Sequence, residues 1–127
     1  MLKTVSAVSG LYDLVVGAVL LLATDQLASA FGVAPPTPVI HAKLNAIFLL
    51  TIGAGYALPW RDPVRYRAYL WLMGPVLKGA GAAAFLLDYF LNGSPKAFLL
   101  FAASDGALAI WTLVALSSTS RSRASRA

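Results

Sequence analysis

Four runs of apolar residues, each long enough to cross a bilayer as a helix, leave this chain little choice of fold. They cover about residues 5–31, 39–60, 66–91 and 95–117. A helix rises 1.5 Å per residue, so ~20 residues span the roughly 30 Å of hydrocarbon. The runs are rich in Ala, Leu and Gly and show no apolar/polar alternation, which argues against barrel strands. Of the 127 residues, 59% are hydrophobic and 12% charged, whereas a soluble domain carries roughly a quarter charged residues. A polar skin cannot be built from so few. The expected fold is all-α: a four-transmembrane-helix antiparallel bundle over residues 1–116, facing lipid over most of its area.

The segments between the runs are loops by composition. Gly32 to Pro38 holds Pro35, Pro36 and Pro38, each of which removes a donor and restricts its predecessor. Asp62-Pro63 ends the second run, and Asn92-Gly93-Ser94-Pro95 is a turn with proline in the first turn of the next helix. Such short loops make consecutive helices antiparallel neighbours. Residues 117–127 are rich in Ser and Arg, have no apolar face, and read as a disordered basic tail resting near anionic headgroups.

The cations set the orientation. Lys3, Arg61, Arg65, Arg67, Arg121, Arg123 and Arg126 fall on one side, and Lys43 and Lys96 on the other. Seven against two predicts both termini in the cytoplasm, as a multi-pass protein of a bacterial inner membrane. Trp60, Tyr66, Tyr69 and Trp71 flank the cationic middle loop, where an aromatic belt belongs. The net charge of +5 therefore reports orientation, and no nucleic-acid partner is expected. Lys3, an apolar stretch and Ala28-Ser29-Ala30 imitate a cleaved leader, but Asp13 interrupts the apolar region and the run is long enough to span, so it is read as a retained helix.

Three ionisable residues lie deep in the runs. By helical rise, Asp13 sits about 13 Å, Lys78 about 18 Å and Asp105 about 15 Å from the nearer start of its span. A lone charge at such depth costs about 2.5–3.5 kcal/mol on the insertion scale, so the three are expected to turn inward and pair. One lysine against two aspartates leaves a negative charge over; one carboxyl then keeps its proton, or water reaches the cluster. The faces agree with inward placement. Ser6, Gly10, Asp13, Gly17 and Thr24 share a stripe, as do Gly74, Lys78, Gly81, Phe85, Asp88 and Asn92. On the fourth run Phe98, Asp105, Thr112 and Leu116 align, with Ala102 and Gly106 beside them; on the second, His41, Asn45, Phe48, Ile52 and Gly55 or Tyr56 do. Small residues on these stripes allow close helix approach. A second polar layer, Asp25, His41, Lys43, Asn45 and Asp88, is expected toward the outer surface, as interfacial solvation with Lys43 snorkelling.

Catalysis has little to stand on. There is no phosphate loop, zinc-protease helix or nucleophile elbow, no cysteine, and the single histidine is remote from any buried nucleophile. No metal, cofactor or catalytic residue is expected.

The length and span number are similar to those of small multidrug-resistance transporters, which carry a first-helix glutamate where this chain has Asp13. Gly53-Ala54-Gly55-Tyr56 leading to Arg61-Asp62-Pro63, then Lys78-Gly79-Ala80-Gly81-Ala82 and Ser104-Asp105-Gly106, resemble more closely small bacterial four-helix membrane proteins of the DoxX-like kind. That resemblance implies a four-helix bundle and transfers no catalytic residue. The expected function is a non-enzymatic accessory subunit of a larger membrane complex, or a binder of a small apolar molecule such as a lipid or quinone. The alternative is a small proton-coupled transporter using Asp13, Lys78 and Asp105, expected to work as a homo-oligomer because four helices line a path poorly alone. Substrate-driven proton flux that disappears in Asp13→Asn or Asp105→Asn separates the two.

Overall fold

A computed structural model describes residues 1–125, without the side chains of residues 122–124. The described residues are all-helical, with no strand among them. Four helices are long and apolar enough to cross a membrane: Leu2–Leu22, Ile40–Arg61, Arg67–Asn92 and Lys96–Arg121.

The first span is α1 (Leu2–Leu22), followed after a break at Ala23 by the short α2 (Thr24–Ala30). Carbonyls freed at a helix end need new donors. Thr24 Oγ1 donates to the Leu20 carbonyl and Lys43 Nζ to that of Leu21, so the break is satisfied from both sides. The second span is α3 (Ile40–Gly55), running through Tyr56 into α4 (Ala57–Arg61). Asp62 Oδ1 then accepts from the backbone N–H groups of Val64 and Arg65, which turns the chain.

The third span comprises α5 (Arg67–Trp71), a π-helical segment (Leu72–Lys78) and α6 (Gly79–Asn92). Pro75 lies inside the π segment. It has no N–H and its ring crowds the carbonyl four residues back, and the wider turn relieves both. Gly93, at φ +67°, closes α6 in the left-handed conformation that glycine adopts without strain. A 3-10 turn (Lys96–Phe98) leads into α7 (Leu99–Ala124).

The helix α7 runs past the point where the sequence reading placed a disordered tail. Ser117, Ser118, Thr119 and Ser120 each donate to a carbonyl of the preceding turn, and Arg67 Nη2 reaches both the Leu116 carbonyl and Ser120 Oγ, each at 2.6 Å. Extending an existing helix needs no new nucleus, so a polar run without an apolar face can remain helical. The last part of the expected tail, residues 126–127, lies outside the described residues.

Packing follows the small-residue stripes. The helix α1 packs along α3 and α4 on one side and against α7 on the other; α6 and the π segment pack on α7. The spans thus stand in the order second, first, fourth, third. A buried cluster of Leu2, Val5, Tyr56, Leu70, Ala115 and Leu116 closes one end. The rings of Tyr56 and Tyr69 meet edge-on there at 5.2 Å, and Tyr69 Oη donates to the Ile52 carbonyl at 2.5 Å. On the second span the buried residues are Ala42, Ala46, Gly53, Tyr56 and Pro59, while His41, Asn45 and Phe48 are exposed. Of the expected stripe, Tyr56 is buried and Asn45, Phe48 and Ile52 line a cavity between the helices, while His41 does neither; the face packed on α1 lies about one residue round from it. Alanine and glycine let α3 lie close to α1, and that close contact outweighs the polarity of His41 and Asn45 in choosing the face.

Candidate functional site: a charged end to an apolar cavity

The first, third and fourth spans each contribute one ionisable group to a single point. Asp13 is 1% exposed, at the centre of the Ser6–Gly10–Gly17 stripe of α1. Lys78 is 5% exposed and ends the π segment, whose extra residue per turn decides where its side chain leaves the helix. Lys78 Nζ lies 2.5 Å from Asp13 Oδ1 and donates to it. The same ammonium is 3.6 Å from Oδ1 of Asp105, whose side chain is 20% exposed. Lys78 Nζ also sits 5.0 Å above the ring of Tyr12. The Tyr12 hydroxyl shares a 2.6 Å hydrogen bond with Ser104 Oγ, next to Asp105 in sequence, which ties α1 to α7 at this level.

Asp13 and Asp105 are not equivalent partners of the lysine. Asp13 holds the short hydrogen bond through Oδ1, while its Oδ2 is buried without a hydrogen-bond partner. Asp105 is at ion-pair distance only and is the more exposed of the two. Burying ions away from water is repaid only when geometry and hydrogen bonds are good. Asp13 and Lys78 meet that condition at one oxygen. The second carboxylate stays beside them with no donor of its own at hydrogen-bond distance among the described residues.

All three groups line one cavity of about 500 Å³. That volume lies within the roughly 300–1,000 Å³ typical of small-molecule sites. Most of the remaining wall is apolar, with Val16 and Leu20 from α1, Leu49 and Ile52 from α3 and Leu77 from the π segment; Tyr12, Thr24 and Asn45 are its other polar side chains. Four phenylalanines gather away from the charges. Phe31 stacks on Phe98 and Phe101 at 5.6 and 5.0 Å, and Phe85 stacks on the same two at 6.1 and 5.4 Å. Seven residues separate Lys78 from Phe85 and Phe98 from Asp105, so charged and aromatic ends are about 10 Å apart along the helices. Phe48 on the second span and Leu77 on the third line the cavity and are 61% and 45% exposed. These two spans meet at the Tyr56–Tyr69 end of the bundle, where the Tyr69 hydroxyl also reaches the Ile52 carbonyl.

The outer polar layer expected from the sequence does not converge. Asp25, His41 and Asn45 are exposed. Lys43 donates to the Leu21 carbonyl, and Asp88 accepts from Asn92 Nδ2 and Ser94 Oγ, which braces the turn after α6. The break at Ala23 is what offers Lys43 that carbonyl. Of the five, Asn45 alone lines the cavity. Among the described residues, no three His, Asp or Glu side chains form a group that could hold a metal ion.

Sequence reasoning missed the cavity and its aromatic end. Phe85 and Phe98 lay on the inward stripes, but nothing in the spacing said that Phe31 and Phe101 would join them. Pro75 was the available sign of a widened turn before Lys78. No family model, no curated protein and no solved structure matches this chain.

Proposed function

We propose that this chain is a non-enzymatic, multi-pass protein of a bacterial inner membrane that holds a small apolar or amphipathic molecule between its helices. The observation that carries this reading is the cavity of about 500 Å³, walled mostly by apolar side chains and charged at one end. Phe48 and Leu77, from the second and third spans, line the cavity and are exposed; an entrance between them would face lipid and admit a ligand dissolved in the bilayer without its crossing water. Consecutive spans alternate in direction, a reading supported by the end cluster that joins the start of the first and third spans to the end of the second and fourth. Both termini lie in the cytoplasm, on the side holding seven of the interfacial cations. The chain has no cysteine, so single-cysteine labelling tests the orientation cleanly. In intact cells a membrane-impermeant maleimide is expected to modify Thr37→Cys and to spare Val64→Cys. The reverse pattern would invert the topology.

Gly81→Leu tests the binding reading. Gly81 lines the cavity, and a Cβ there meets only Asp105 Oδ2, at an ordinary 3.6 Å. A leucine is thus tolerated by the helix and projects its bulk into the cavity. Native mass spectrometry of the purified wild type is expected to show a small molecule carried at about one per chain. In Gly81→Leu, with unchanged helicity, that adduct is expected to vanish. Equal adducts in both proteins, or none in either, count against a ligand in this cavity.

A second reading, proton-coupled transport, draws on the carboxylate in excess at the cavity wall. It requires flux across proteoliposomes, which binding alone does not produce.

A further inference from the structure

Resting on the binding reading above, we infer that the occupant of the cavity is a lipophilic amine: a monocation whose charged head pairs with Asp105 and whose apolar body reaches the phenylalanine cluster. The argument is charge complementarity. The cavity wall carries two carboxylates and one ammonium. The ammonium is committed to Asp13 at 2.5 Å and stands 3.6 Å from Asp105. Asp13 is 1% exposed, and its Oδ2 has no hydrogen-bond partner. Asp105, at 20% exposure, is the carboxylate a guest can touch. In an apolar cavity an uncompensated carboxylate carries either a proton or a counter-cation. A ligand that brings its own positive charge and N–H donors replaces that proton, which leaves for water.

An anionic head would add a third negative charge beside Asp13 and Asp105. A neutral head would leave the excess in place. The body is specified as well. Along the fourth span Phe101 is about 6 Å and Phe98 about 10 Å from Asp105, and Phe85 stacks on both, so ring faces are offered over that range. The fit is a primary or secondary amine on a chain of a few carbons ending in an aryl group.

The experiment compares 4-phenylbutylamine with 4-phenylbutanol, its neutral counterpart, on the full chain in nanodiscs, by equilibrium dialysis. Protein-free nanodiscs correct for partition into lipid. At neutral pH the wild type is expected to retain the amine at least tenfold more strongly than the alcohol. Asp105→Asn is expected to bring the two within about twofold, with alcohol binding unchanged, and Asp105→Glu to restore the preference. Equal binding of amine and alcohol by the wild type overturns the amine assignment and leaves the cavity as a neutral site. Binding of neither removes the binding reading as well. If Asp105→Asn keeps the full preference while folded, Asp105 is not the recognition group. Should that variant fail to fold, the wild-type comparison still decides the ligand class.

Discussion

Lys78→Met is expected to destabilise the folded protein by about 3–5 kcal/mol, the usual cost of leaving one member of a buried ion pair alone. Asp13 is the reason. It is 1% exposed, its Oδ1 takes the lysine's hydrogen bond, and its Oδ2 has no other donor to fall back on. Methionine fills the space but donates nothing. The remaining carboxylate must take a proton or draw water into the helix interface. Combining Lys78→Met with Asp13→Leu removes both charges and is expected to recover most of the loss, since an apolar pair of similar volume often does as well as the ions. Asp105→Asn is expected to cost less than Lys78→Met, because Asp105 is more exposed and farther from the ammonium. Thermal unfolding in detergent, followed by near-ultraviolet circular dichroism, ranks the variants. A Lys78→Met protein as stable as wild type would show that the cluster contributes no net stability.

Gly53→Val is the second substitution with a large expected effect. A Cβ at residue 53 would lie 2.9 Å from the carbonyl oxygen of Gly10 and 2.9 Å from the backbone N of Leu14. Both are backbone atoms of α1, and neither can swing aside as a side-chain tip can. Reciprocally, a Cβ on Gly10 would fall 2.9 Å from Tyr56 Cβ and 3.0 Å from the Gly53 carbonyl oxygen. The first and second spans touch here backbone to backbone, and any side chain wedges them apart. Overpacking of this kind costs about 1–3 kcal/mol, toward the upper end here because dispersion between close helices, rather than a hydrophobic force, holds spans together in lipid. Gly79→Val is the control. A Cβ there meets only Ala109 Cβ, at 4.0 Å, and the change is expected to stay within about 0.5 kcal/mol. If the two variants unfold at the same temperature, the close crossing of α1 and α3 is not what holds them.

These two substitutions mark what could be seen in advance. The stripe Ser6, Gly10, Asp13, Gly17 and Thr24 is buried along its whole length in the structure: the period of α1 is unbroken from Ser6 to Gly17, and Thr24, just past the break at Ala23, is held to the same helix by its bond to the Leu20 carbonyl. Length and hydropathy located the four spans because both are local properties, as helical periodicity is. Where local rules gave way, a neighbouring element had intervened. On the third span the expected stripe is buried at Gly74 and Lys78, lines the cavity at Gly81 and Phe85, and comes to the surface at Asn92, where α6 ends. The second span turns Ala42, Ala46 and Gly53 toward α1 and leaves Asn45 to the cavity, a choice made by how closely two helices can approach. The polar residues after Ser117 stay helical with their hydroxyls bonded to the preceding turn and Arg67 reaching across from the third span.

By itself the sequence determined that the chain is helical, how many helices are long and apolar enough to span, and that Asp13, Lys78 and Asp105 could not comfortably face lipid. Those properties follow from composition, period and the cost of an unpaired charge, and each is set within one helix. Tertiary structure alone decided that Lys78 bonds Asp13 and leaves Asp105 at the cavity wall, and that Phe31, Phe85, Phe98 and Phe101 stack together at the far end of the same cavity. Distances of a few ångströms between spans depend on the slide and rotation of whole helices, which no stretch of residues encodes on its own.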